Sequence, residues 1–270
     1  GRSPIKSHRR LMAAQEDMNM LGFSSWRGLS ASIIFILVSA GVAHGEEADS
    51  FGWSITPYLW ATETSVDLTF RDTNIGTGEI SFSDLLDILD AAFMIHVEGG
   101  RGNWTAFGDL TYLKTSDSTE RTALVIDTNS KQLFLDGAVA WWPQGAGSNF
   151  NLYGGVRFSG FDDRYTFRLI ADDSIVGERR SDKDYYDALV GLRYRFDFSE
   201  RWSLLTRADT SFGDSEGTVL LRANLAWTVG KRQQNRILFG YQYKTAEFRD
   251  DDLRLDFDYQ GPMAGFNFRF

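Results

Sequence analysis

His96 is the one histidine that follows residue 45, and it stands in "FMIHVEGG" with Glu98 two residues on. In a strand, residues two apart share a face. An imidazole and a carboxylate side by side are the pair that aims a general base at a hydroxyl in nucleophilic catalysis. No serine of this chain lies in a nucleophile motif, and nothing else in the sequence fixes such a geometry. His96 therefore reads first as an interior histidine bonded to a neighbour, with an envelope-lipid-modifying enzyme centred on it as the alternative. With no cysteine in the chain, thiolate metal sites and disulfides are excluded, and a lone histidine makes a poor metal centre. The run Asp250-Asp251-Asp252 reads as solvated loop charge rather than a calcium site. No metal, cofactor or catalytic residue is expected.

A second constellation is larger. Glu98, Asp109, Asp136, Asp187 and Asp209 are matched by Arg157, Arg193, Arg207, Arg222 and Lys244. Each lies in a run with strand period, on the face opposite a row of apolar residues. Together with His96 they form an expected lumen charge network. It reads either as salt bridges filling a small barrel or as a charged constriction selecting small solutes.

The elements that would carry these residues recur every 15 to 25 residues after Phe51: roughly 51–70, 91–102, 104–117, 121–142, 149–169, 183–198, 201–213, 218–230, 234–248 and 255–270. Over 183–248, four successive runs keep one face free of charge. Tyr186, Ala188, Val190 and Leu192 oppose Asp187 and Arg193, and Leu221, Ala223 and Leu225 oppose Arg222. A soluble sandwich alternates too. Here, however, the mid-strand residues are small (Ala188, Ala208, Ala223), while Tyr186, Phe198, Trp202, Phe212, Trp227 and Tyr243 lie near strand ends, as in the aromatic girdles of membrane barrels. The expected fold is all-β: a closed antiparallel transmembrane barrel of about ten strands. Short connections such as 101–103 and 199–201 would be periplasmic turns. The charged stretches 171–183 and 249–252 would be extracellular loops.

The 270-residue chain has a net charge of −9. Arg27, the apolar "SIIFILVSAGVA" and Ala43-His44-Gly45 read as a signal peptide over 18–45, cleaved after Gly45, with 1–17 a surplus extension and 46–270 the barrel. The apolar run is shorter than the roughly 20 residues of a membrane helix. Losing 1–45 removes five basic and two acidic residues and leaves −12. Such acidity argues against nucleic acid as a partner.

"ITPYLWAT" (55–62), "WTAFGDLTYLK" (104–114), "DALVGLRYRFDFSERWSLLTRADTSFG" (187–213), "GYQY" (240–243) and "GPMAGFNFRF" (261–270) resemble an uncharacterised family of outer-membrane β-barrel proteins of Gram-negative bacteria. The chain departs from that family at Thr210-Ser211 and at Gln242. The resemblance implies a barrel in the outer membrane, among lipid and lipopolysaccharide, and no established activity, while the signal segment implies Sec export. Gly265, Phe266, Phe268 and Phe270 resemble the C-terminal signal read by the barrel-assembly machinery, on a strand that must pair with the first to close the sheet. Leu255, Phe257 and Tyr259 are odd-numbered and the closing phenylalanines even, so a β-bulge near Gly261-Pro262 is expected.

One segment breaks the strand period. In "SFSDLLDILD", Phe82, Leu85, Leu86 and Leu89 have helical spacing, with Ser81 or Ser83 as cap. It reads as a short helix between the first and second strands, either plugging the mouth or resting on the rim. The function expected is a non-enzymatic barrel, structural or a narrow pore for ions and small solutes, most simply a monomer. Surface interaction through extracellular loops is the further alternative.

Overall fold

The computed structural model describes residues 51–71, 73–121, 123–145, 148–230, 235–250 and 253–270. The expected extension 1–17 and signal segment 18–45 lie outside them. The strands are β1 (Gly52–Trp60), β2 (Glu63–Phe70), β3 (Thr73–Ile80), β4 (Leu89–Arg101), β5 (Trp104–Arg121) and β6 (Leu124–Trp141). They continue as β7 (Phe150–Leu169), β8 (Ile175–Asp197), β9 (Trp202–Gly213), β10 (Gly217–Val229), β11 (Asn235–Asp250) and β12 (Leu253–Arg269). Among the described residues a single helix, α1 (Phe82–Ile88), precedes β4.

Ten strands make the ring. From β4 to β12 each pairs antiparallel with the next, and β1 pairs with both β4 and β12. Closure satisfies the backbone of what would otherwise be two edges, the condition for a sheet in lipid. The last strand carries it. Ser54 faces Arg269, Ile55 faces Phe268 and Tyr58 faces Gly265. A side chain at Gly265 would come within 2.9 Å of the Tyr58 Cβ, so glycine there lets the aromatic ring pass inside the seam.

The first expected strand, 51–70, is broken at Ala61-Thr62 into β1 and β2. Above the break, β2 follows β12 and β3 pairs onto β2, forming a hairpin at that end of the barrel. The expected bulge near Gly261-Pro262 is absent. β12 stays in continuous register with β11 from Asn267 to Leu253. No parity change is needed, because Phe257, Tyr259 and Met263 face the apolar interior and Asn267 and Arg269 line the lumen below it. Phe257 and Tyr259 fill the interior, while Phe268 is exposed. The irregularity lies in the neighbouring strand instead. Proline has no N–H for the ladder, and a Cβ on Gly261 would stand 1.9 Å from the Ala61 carbonyl oxygen.

The outer surface is that of a membrane-spanning barrel. Leu59, Val139, Val156, Val190 and Leu221 are exposed. Trp104 faces Trp141, and Trp202 stacks on Trp227 with ring centroids 5.8 Å apart. At the other end Phe158 meets Tyr186 at 5.0 Å. Phe196 and Tyr186 are ten residues apart on β8, as are Trp202 and Phe212 on β9. At roughly 3.3 Å per residue and a tilt of about 40°, that is an apolar band about 25 Å tall.

β7 and β8 run 20 and 23 residues, against 12 and 13 for β9 and β10. The surplus lies beyond the upper girdle. The stretch 171–183, expected as a loop, is a turn followed by strand from Ile175, because Arg164 to Phe167 and Gly177 to Arg180 continue the β7–β8 ladder. Ion pairs cross this extension: Arg168 holds Asp127, and Asp162 meets Arg180 at 3.3 Å and Lys131 at 3.5 Å.

Candidate functional site in the closed lumen

Alternation brings one side chain in two from every strand into the lumen, and the ring fixes which rows meet. At mid-height these side chains form a continuous charged network. Arg157 on β7 grips Asp136 on β6, Nε to Oδ1 at 2.7 Å and Nη2 to Oδ2 at 2.8 Å. The same Nη2 donates to Asp209 on β9 at 2.8 Å, and Nη1 donates to the Thr218 hydroxyl on β10 at 2.5 Å. Arg207 donates to Asp209 at 2.7 Å, to Asp136 at 2.6 Å and to Asp109 at 3.3 Å. Arg222 joins Asp109 at 3.2 Å and Gln242 at 2.5 Å. Two tyrosines complete it, Tyr153 donating to Asp209 and Tyr58 to Asp109, each at 2.6 Å.

The network is dry. The side chain of Arg157 is 1% exposed and that of Asp209 0%. Charges so far from water persist only when paired and hydrogen-bonded on every side. Four carboxylates, Glu98, Asp109, Asp136 and Asp209, stand with four guanidiniums, Arg157, Arg193, Arg207 and Arg222. Bidentate geometry and the aromatic stacking of Arg207, 5.3 Å over Phe107 and 5.5 Å over Tyr153, use the guanidinium as lysine could not be used.

His96 lies at the edge of this network. Its Nδ1 is 3.2 Å from Asp109 Oδ2, and its Nε2 is 3.6 Å from Glu98 Oε2. Glu98 is held by both Nη atoms of Arg193 at 2.9 and 2.7 Å, and it accepts from Thr105 at 2.9 Å. A carboxylate stands before each ring nitrogen, and among the described residues no serine hydroxyl is bonded to either.

Two expected members stand apart from the ion pairs. Asp187 takes its bonds from Ser211, the Ser215 hydroxyl and the Ser215 N–H. The Lys244 ammonium sits 3.7 Å from the centroid of the Phe134 ring, a cation–π contact without a carboxylate in ion-pair reach among the described residues. Sequence reasoning missed Tyr58, Tyr153, Thr218 and Gln242 as network members. Their only signal was parity: each shares a strand face with a charged lumen residue or neighbours one across the ladder.

Above the network, the lumen is filled by an apolar layer. Phe134, Tyr259, Trp60, Met94 and Met263 are buried together, with Phe161 and Phe257 packed against them. Phe134 meets Tyr259 edge-on at 5.9 Å and Phe161 at 5.8 Å. This layer is made by strand residues. In α1 no residue is buried, and Leu86 is half exposed. Leu89 belongs to β4 and packs against the layer's edge. Ser81 caps α1 as expected, in a capping box with Asp84.

No protein-family model matches the chain, and no curated protein matches it. The uncharacterised family suggested by the motifs thus has no matching model, although the barrel that resemblance implies is present. Among solved structures the chain is similar to the outer-membrane protease OmpT from Escherichia coli (9% identity, 84% of this chain and 99% of that one, TM-score 0.46). It is also similar to the attachment invasion locus protein Ail of Yersinia pestis, in complex with the heparin analogue sucrose octasulfate (10%, 81% and 98%, 0.36). A third is Neisserial surface protein A (13%, 83% and 100%, 0.28). Identities this low carry no residue roles across.

Proposed function

We propose that this chain is a non-enzymatic barrel of a bacterial outer membrane, structural in role, with a lumen that does not conduct. The observation that carries the reading is the burial of Arg157 and Asp209 within a fully paired network. Any pore would have to pass side chains 1% and 0% exposed. The aromatic layer above adds a second barrier. A barrel of about this strand number is ordinarily filled by its own side chains. The reading includes export behind the segment 18–45, delivery by the barrel-assembly machinery through Gly265, Phe266, Phe268 and Phe270, and contact with lipid and lipopolysaccharide.

Planar-bilayer recording of the refolded barrel tests it. The expected trace is flat. Discrete steps in the unmodified protein, with an ion selectivity that shifts in Arg193→Ala and Arg207→Ala, would replace this reading with the narrow pore.

The tall β5–β8 wall favours a second role, surface interaction. It extends the sheet well beyond the lipid band and carries charge on both faces. Shortening β7 and β8 by the segment 164–180 would abolish partner binding while leaving the barrel folded.

A further inference from the structure

Below the charged network the lumen is open. A cavity of about 1040 Å³ reaches from His96, Glu98 and Arg207 down to the end where β1 begins and β12 finishes. By the rule that the short turns are periplasmic, this mouth faces the periplasm. Its charge is lopsided. Among the described residues seven arginines line the cavity, and Glu98 is the one acidic side chain on its wall. The whole chain, by contrast, carries −9.

Arg207, Arg222 and Arg193 are committed to the carboxylates of the network above. Nearer the mouth, Arg236 on β11 and Arg269 on β12 have no carboxylate within ion-pair distance among the described residues. Arg236 is repelled by Arg269 and Arg195 and attracted by Asp197, and Arg269 is repelled by Arg195 and attracted by Glu98. Arg195 is shared between Asp197 at 3.1 Å and Asn149 at 2.8 Å. Like charges gathered in a concave site raise the local concentration of an opposite ion. Guanidinium forks match phosphate and carboxylate oxygens two at a time.

We propose that this dead-end vestibule is a binding site for a small oligoanion, a molecule presenting two or more phosphate-type charges to Arg236, Arg269 and Arg195. The volume is that of a pocket for a drug-sized or sugar-sized ligand. The proposal goes beyond the closed-lumen reading and is separable from it, since binding is measured without conductance. Both a free phosphorylated solute and the phosphate of a lipid headgroup share this chemistry.

The test is a titration of the refolded full chain in neutral detergent with inorganic pyrophosphate. It is followed by isothermal calorimetry and by fluorescence of Trp53 and Trp142, both on the cavity wall. A parallel series uses micelles doped with a short-chain phosphatidic acid. Saturable binding that weakens with salt and falls at least tenfold in the double variant Arg236→Gln, Arg269→Gln supports the site. Response in the first series identifies a free solute, and response in the second alone identifies a headgroup. These two side chains hold no ion pair among the described residues, so the variant keeps the barrel, as its strand circular dichroism would verify. Absence of binding in both series overturns the proposal, as does equal binding by the double variant, which would mean an adventitious ion only.

Discussion

Arg157 and Asp136 lie opposite each other on β7 and β6 and are joined by two parallel hydrogen bonds of 2.7 and 2.8 Å, at the centre of a membrane barrel. Both side chains are buried, at 1% and 9% exposure. Arg157 reaches a second carboxylate, Asp209, and a hydroxyl, Thr218, so that its guanidinium is bonded on all sides. Such an arrangement contributes little net stability compared with an apolar filling, yet it is costly to break.

Removing one partner is therefore the severe change. Asp136→Ala leaves Arg157 and Arg207, both buried, each short of a carboxylate, and is expected to cost about 3–5 kcal/mol. Urea unfolding in micelles, followed by tryptophan fluorescence, measures it. A loss below about 1 kcal/mol would mean that water enters the lumen and re-solvates the charges.

Lys244→Met has the opposite expectation. The ammonium rests on Phe134 and holds no ion pair among the described residues, so methionine keeps the packing of the stem and removes a buried charge. The expected change is within about 1 kcal/mol of zero, or stabilising. The same urea titration decides it.

Gly261→Ala tests the strand break. The added methyl would stand 1.9 Å from the Ala61 carbonyl oxygen, a backbone atom that cannot swing aside. A loss of about 1–3 kcal/mol is expected, as for overpacking elsewhere, together with slower closure of β12 on β1. Refolding monitored by heat-modifiable gel mobility would show it. Unchanged kinetics would place the break at Ala61-Thr62 outside the folding-critical seam.

On the wall beyond the lipid band, hydrogen bonds from Arg168 and from Ser118 hold the Asp127 carboxyl down to about 2. A carboxylate whose pKa is lower folded than unfolded stabilises above the unfolded value, near 4, and loses that contribution as pH falls through the folded one. The β6–β7 tip should therefore stay ordered at pH 4 and loosen toward pH 2. In Arg168→Gln the Asp127 titration, read by carboxyl carbon NMR, should move up toward 4. An unmoved titration would assign the effect to Ser118 alone.

How much of this was written in the sequence depends on the distance over which each feature is decided. The parity of β8 to β11, with Tyr186, Val190 and Leu221 outward and Asp187, Arg207 and Arg222 inward, follows from the two-residue repeat of an extended chain, a local property. So do the aromatic girdles, the ten crossings and the Ser81 cap. Pairing across the lumen is not local. Arg193 finds Glu98 from 95 residues away and Arg222 finds Asp109 from 113. Strand tilt and stagger around the closed ring choose those partners, and no single strand contains them. For that reason Asp187 was expected among the arginines and is found among serines, and Lys244 is found on a ring.

The odd residues of β12 make the same point in one strand. Phe257 and Tyr259 looked like a register slip because an apolar residue was assumed to face lipid. Only the ring shows that the interior at that height is apolar too, so the same parity carries Tyr259 to the core and Arg269 to the mouth of the cavity. Sequence alternation determined which residues face in. The closed barrel alone decided what each of them meets there, because its curvature brings distant strands to a common axis.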